Sequence, residues 1–313
     1  MAESKIGIAL GSGSARGWSH IGVLEALDEL GIPIHCIAGT SIGAYVGFAY
    51  AAGDLKKLKE FSLTLDKRKI FSHLDLIFPR SGFFEGKRFS DLIKAATDAK
   101  SFEELQISFA AVATDMLRGE EVVFKDGDPF LAIRASASVP GLLTPVKWKN
   151  RLLVDGGVVN PVPMNVLREM GAEKIIAIDL NSQLLTKRFG ELAYSDTKRP
   201  KKIKAKNSDE NNDFFHLLAL PKNPFFDRVS KQLSLAERTV RDTWSHFFNG
   251  DDGAMPSIFD IYGSSIDIME TQLTRISINI HKPDLLIQPS LGDIKLLDFD
   301  QAERAIREGY EKT

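Results

Sequence analysis

The residues most able to do chemistry lie in Gly39-Thr40-Ser41-Ile42-Gly43. This is the G-x-S-x-G spacing of a nucleophile elbow. The requirement is steric: a serine on a sharp strand-to-helix turn projects its hydroxyl above a sheet, and small flanking residues let the two chain arms approach. The helix that follows points its unsatisfied N–H groups at the site. A structural reading stays open beside the catalytic one, with Ser41 as a plain helix N-cap. A second small-residue stretch, Gly11-Ser12-Gly13-Ser14-Ala15-Arg16-Gly17, precedes an apolar-periodic helix. Such a loop exposes backbone donors and suits an anion, either a phosphate or the oxyanion of acyl transfer. It fails the dinucleotide fingerprint, because Arg16 stands where the third glycine belongs. A third stretch, Asp155-Gly156-Gly157, puts a carboxylate on a tight turn, either as a simple Asx-turn or as a working base.

A serine nucleophile needs a base. An α/β-hydrolase order would draw a histidine from downstream of Ser41, which leaves His73, His216, His246 and His281, none in a persuasive setting. His20 and His35 precede the serine. The six histidines are scattered and Cys36 is the single cysteine, so no metal cluster and no cofactor are expected. Cys36 lies in an apolar run and reads as a buried structural thiol.

The elements that must position these groups follow from periodicity. Ile6–Leu10 and Ile34–Ala38 are short apolar runs suited to buried strands. Ile21, Leu24, Leu27 and Leu30 share one face of a helix that Gly31 ends. Ala44–Ala52 is apolar all round and should lie inside the domain. Strands are also expected at Ile107–Thr114, Glu120–Phe124, Arg151–Val154, Lys174–Asp179 and Asp284–Gln288. Helices are expected at Phe130–Ser138, Val162–Met170 and Phe299–Tyr310. Alternation of strand and helix with short loops argues for a parallel α/β sheet.

The 313 residues are 43% apolar, with a net charge of −2. That supports a sizeable core and gives no positive field for nucleic acid. The first ten residues lack signal-peptide character, and no run of roughly 18 apolar residues occurs, so the expected location is the cytosol. The division read from composition is a core at 1–181, an irregular insertion at 182–256, and a C-terminal part at 257–313 that completes the α/β domain. The insertion crowds lysines and arginine at 198–206 ahead of the aromatic stretch Phe214–Phe226. It can meet an anionic membrane surface peripherally, or pack on the domain or on a second copy of the chain as a homodimer.

Together these stretches resemble the patatin-like phospholipase family, in its small bacterial form. The resemblance rests on Gly13-Ser14-Ala15-Arg16-Gly17 with His20-Ile21-Gly22-Val23-Leu24, on Gly39-Thr40-Ser41-Ile42-Gly43-Ala44, on Ala135-Ser136-Ala137-Ser138-Val139-Pro140, and on Asp155-Gly156-Gly157 with Asn160-Pro161-Val162-Pro163. It implies a three-layer α/β/α sandwich with a mainly parallel central sheet, and hydrolysis of phospholipid or lysophospholipid esters. It implies a Ser–Asp dyad, carried here by Ser41 and Asp155, and an oxyanion loop carried by Gly13, Ser14, Ala15 and Arg16. Gly39, Gly43, Gly156 and Gly157 support the motifs. The family's usual G-G-G-x-R-G reads Ser12-Gly13-Ser14-Ala15-Arg16-Gly17 here. A serine forced to positive φ would cost on the order of 1 kcal/mol. That departure keeps a non-catalytic regulator of the same fold as the rival reading, with transacylation to another acceptor as a third.

Overall fold

The computed structural model describes residues 4–66, 69, 86–95, 97–183 and 258–313. The chain divides into two units, Met1–Glu191 with Ile266–Thr313, and Leu192–Ser265. The first carries an eight-stranded sheet. Its strands are β1 (Ile6–Leu10), β2 (Cys36–Thr40), β3 (Ser108–Asp115), β4 (Glu120–Phe124), β5 (Val146–Trp148), β6 (Arg151–Asp155), β7 (Lys174–Ile178) and β8 (Leu285–Ile287). The order is β5-β6-β3-β2-β1-β7-β8, with β4 also on β3. The ladders from β3 through β2, β1 and β7 to β8 are parallel, while β4, β5 and β6 pair antiparallel.

The period-two alternation of these strands builds two cores, one on each face. Ile8 and Leu10 of β1, Ile37 of β2, Phe109, Ala111 and Ala113 of β3 and Ile176 and Ile178 of β7 enter one cluster. Ala9, Cys36 and Ala38, Ala110 and Val112, and Ile175 and Ala177 enter the other. Helices α1 (Ser19–Glu29), α2 (Ile42–Ala51), α3 (Leu55–Leu63), α4 (Lys87–Ala95) and α5 (Pro129–Ser136) follow in chain order. They are succeeded by α6 (Met164–Glu169), α7 (Ile258–His281) and α8 (Ala302–Lys312). Residues of α1, α2, α5 and α8 join the first cluster, while Met164, Val166 and Leu167 of α6 cover the second. This is the expected three-layer sandwich. The all-apolar α2 is buried at every residue but Tyr50, as an apolar cylinder must be.

Of the strand ends that depart from the sequence reading, those of β2 and β6 bear on the site. β2 runs Cys36–Thr40 rather than 34–38, since Ile6 N–H is taken by His35 Nδ1 at 3.1 Å and Gly7 then pairs with Cys36. β6 extends one residue to Asp155, placing that carboxylate at the strand's last position. The Phe214–Phe226 and lysine-rich stretches, with His73, His216 and His246, lie outside the described residues. Among the described residues no helix is long and apolar enough to cross a membrane.

The last helix closes on the first by backbone contact. A Cβ on Gly22 of α1 would stand 1.9 Å from Ile306 O, and one on Gly309 of α8 would stand 2.0 Å from Ser19 O. Neither neighbour is a flexible side chain, so a methyl group forces the helices apart. Gly22→Ala and Gly309→Ala are each expected to lower unfolding free energy by about 1–3 kcal/mol. Because they share one contact, the double variant should lose less than the sum, as read from urea unfolding midpoints.

Candidate active site

The register of the sheet brings the two candidate side chains together. β2 pairs with β3 up to Thr40↔Val112. β6 pairs with β3 from Asp115↔Leu153 down to Ala113↔Asp155. β4 holds Ala111–Asp115 of β3 along the opposite edge. β2 and β6 therefore share one edge of β3, running toward each other and stopping at consecutive residues of it. Ser41 leaves one of these strand ends and Asp155 is the other. Gly156 sits in the gap, where a Cβ would meet Val112 O at 2.2 Å and Thr40 Cγ2 at 3.0 Å. Two threonines pin the ends: Thr40 Oγ1 donates to Asn160 O and Thr114 Oγ1 donates to Asp155 O, each at 2.8 Å.

Ser41 has φ 57° and ψ −122°, a conformation costly for a residue with a Cβ. Its N–H donates to Ser136 Oγ at 2.8 Å, and Ser136 Oγ donates to Val112 O at 2.5 Å. The strained turn is thus tied to β3 through one hydroxyl. A Cβ on Gly39 would stand 2.4 Å from Gly43 O, and one on Gly43 2.1 Å from Leu10 O, so both glycines are required by close approach. Ser41 makes no side-chain capping bond to α2, and the plain N-cap reading fails.

Asp155 is 3% exposed. Its Oδ1 accepts the Gly157 N–H at 2.8 Å, so the Asx-turn is real, while among the described residues Oδ2 has no hydrogen-bond partner. Burial, reinforced by the charge of Glu270, pushes the carboxyl up to about 8, against hydrogen bonding from the Ser41 hydroxyl and Gly157 N–H, which holds it down. Among the described residues no histidine hydrogen bonds to Ser41. His20 is buried with Nε2 2.8 Å from Gly11 O and is lowered to about 4 by desolvation. Burial raises the Cys36 thiol, which packs under the sheet.

The small-residue loop lies against the elbow. A Cβ on Gly17 would strike the Ile42 side chain at 2.2 Å. Within the loop, Ala15 N–H donates to Leu296 O at 3.3 Å and Arg16 N–H to Gly13 O at 3.1 Å. That leaves Gly13 and Ser14 as the donors of the expected set with no hydrogen bond among the described residues. Ser14 does take positive φ, at 50°, and its hydroxyl donates to Leu296 O at 2.6 Å in compensation. The Arg16 guanidinium is buried and tethered. Nη1 donates to Ile294 O at 3.3 Å, Nη2 donates to Asn181 Oδ1 at 3.1 Å, and Asp267 lies 3.5 Å away. It holds the loop to the C-terminal segment and is not presented to a phosphate.

Two participants escaped the sequence reading. Ser136 falls within the Ala135–Pro140 block, where its small size gave no hint of the bond to Ser41. Glu270, on α7, falls in a stretch to which the sequence reading assigns no element.

Comparison with known proteins gives a consistent neighbourhood. The patatin-like phospholipase family profile matches residues 8–168. The chain is 30% identical to an uncharacterized NTE family protein of Mycobacterium tuberculosis, covering 98% of this chain and 90% of that protein. It is 37% identical to human patatin-like phospholipase domain-containing protein 6 over 190 residues, which are 58% of this chain and 14% of that protein. Among solved structures, VipD from Legionella pneumophila has a TM-score of 0.47 at 14% identity, covering 100% of this chain and 66% of that one.

The buried carboxyl has a consequence for stability. With a folded value near 8 and an unfolded value near the ordinary one, the native state holds the extra proton across that window. Stability from this group is therefore lost as pH rises from about 4 toward about 8. Asp155→Asn removes the titration and should raise Tm, by more at pH 9 than at pH 5. Calorimetry at the two values checks the sign.

Proposed function

The chain belongs to the patatin-like phospholipase family, and from that premise we propose that it is a serine acyl hydrolase of lipid esters working through Ser41 and Asp155. The reading is carried above all by the meeting of β2 and β6 on one edge of β3, which sets the hydroxyl of a strained turn beside a buried carboxylate. Phospholipids or lysophospholipids are the substrate class the family name suggests.

In the proposed reaction Asp155 takes the Ser41 proton as Oγ attacks the ester carbonyl. The Gly13 and Ser14 N–H groups receive the oxyanion of the tetrahedral intermediate. Its collapse expels the alcohol, which takes the proton back from Asp155, and leaves the acyl group on Ser41. Water then attacks the acyl-enzyme, gives its proton to Asp155, and releases the fatty acid with Ser41 reprotonated. An aspartate at its ordinary value is a poor base near neutrality. One raised to about 8 is matched to the task. The two serines that favoured a non-catalytic scaffold both have a structural use: Ser14 bonds Leu296 O, and Ser12 donates to Glu270 Oε2 at 2.8 Å.

The test is hydrolysis of a short-chain nitrophenyl ester together with labelling by a fluorophosphonate. Ser41→Ala and Asp155→Asn should each reduce kcat/KM by at least about a thousandfold, and label should be lost with Ser41. For the wild type, kcat/KM should climb with pH to a plateau above about 8, since the deprotonated carboxylate is the active form. Wild-type turnover in either variant would end the reading. Release of a new diacyl product on adding lysolipid would move it to transacylation.

A further inference from the structure

A second buried carboxylate stands beside the first. Glu270 projects from α7 with Oε2 accepting from Ser12 Oγ at 2.8 Å and from Asn181 Nδ2 at 2.9 Å. Its Oε1 faces the turn that carries Asp155. A Cβ on Gly157 would fall 2.4 Å from Glu270 Oε1 and 3.1 Å from Asp155 Oδ1. Gly157 is therefore the gap between two carboxylates, and any side chain there would wedge them apart. Glu270 lies beyond the stretch 8–168 that the family profile matches.

We propose that Glu270 is a positioning residue for the base, a second carboxylate seated against the Asp155-Gly156-Gly157 turn that fixes the electrostatic setting in which Asp155 exchanges a proton with Ser41. The inference rests on the dyad reading above and deepens it. The two carboxylates have unequal surroundings. Burial, with the charge of Asp267, raises the Glu270 carboxyl, against hydrogen bonds from Ser12 and Asn181 and the Arg16 cation, which hold it down. Asp155 faces Glu270, the Ser41 hydroxyl and the Gly157 N–H, and among the described residues no cation is paired with it. Farther out, Asp179 meets the charges of Arg275 and Arg16 and the Gln288 amide. In its ionised form Glu270 opposes ionisation of Asp155.

This gives the serine at position 12 a role. Where the related pattern has glycine, Ser12 supplies a hydroxyl that anchors Glu270 Oε2, while Oε1 lies against the turn that carries the base. It also joins α7, far along the chain, to the chemistry of residues 41 and 155.

The test compares Glu270→Gln, Glu270→Asp and Glu270→Ala in the full chain. Glutamine keeps the shape and loses the charge. The rising limb of kcat/KM should move to lower pH by roughly one unit or more in the Gln and Ala variants, with a smaller displacement for Asp. A limb that stays in place while the rate falls would overturn the proposal and leave Glu270 a structural residue. The Asp155 carboxyl is also titrated directly by 13C NMR, assigned through Asp155→Asn, which requires no turnover. An Asp155 midpoint unmoved by Glu270→Gln overturns the proposal even in an active enzyme. A midpoint that shifts in a protein without hydrolytic activity upholds the coupling and overturns the hydrolase reading instead.

Discussion

Two strands meeting head-on along one edge of β3 are the constraint on which the site depends. In a uniformly parallel sheet the end of β2 would face another strand end pointing the same way. Here β6 arrives antiparallel, so the last residue of each strand is brought to neighbouring residues of β3. The separation of Ser41 and Asp155 is then fixed by ladder hydrogen bonds rather than by loop conformation, which is the more precise support. Gly156 and Gly157 are what the crowding at this junction demands. Gly156 clears a carbonyl of β3, and Gly157 clears the Glu270 carboxylate.

The same crowding gathers unfavourable terms in one place. Ser41 adopts a strained backbone, Asp155 keeps an oxygen without a hydrogen bond among the described residues, and burial raises both Asp155 and Glu270. Such features persist only where the surroundings over-determine them. The surroundings here are the Ser136 bridge to Val112, the two threonine clamps and the double core. A sheet packed on both faces supplies the rigidity, and the site draws on it.

The sequence made the pieces legible but not how they meet. β1, β3, β4, β7 and the apolar α2 follow from composition and period, because a doubly covered strand and an enclosed helix leave strong local signals. The elbow was readable because glycine spacing records close approach directly. β5 went unrecognised: three residues, Val146–Trp148, hold too little pattern, and without β5 the antiparallel turn into β6 has no visible cause. α3, α4 and α7 were missed as helices, being mixed in character rather than apolar. Glu270 was unreadable locally because its burial comes from partners at 12, 157 and 181. Its one trace was Ser12, a hydroxyl in a glycine's place that needed an acceptor. Ser14 taught the complementary lesson, since its hydroxyl bonds Leu296 O in the positive-φ conformation that argued against it.

The contact of α8 with α1, glycine against carbonyl, has a temporal side. During synthesis the first helix emerges long before residues 302–312 exist, and β1 waits for β7 at 174–178 to cover one of its edges. The nascent chain therefore carries a half-finished layer with a bare backbone edge while most of the polypeptide is still on the ribosome. Such an edge is an invitation to wrong pairing. Vectorial production places a premium on holding the early strands apart until the tail arrives to complete them.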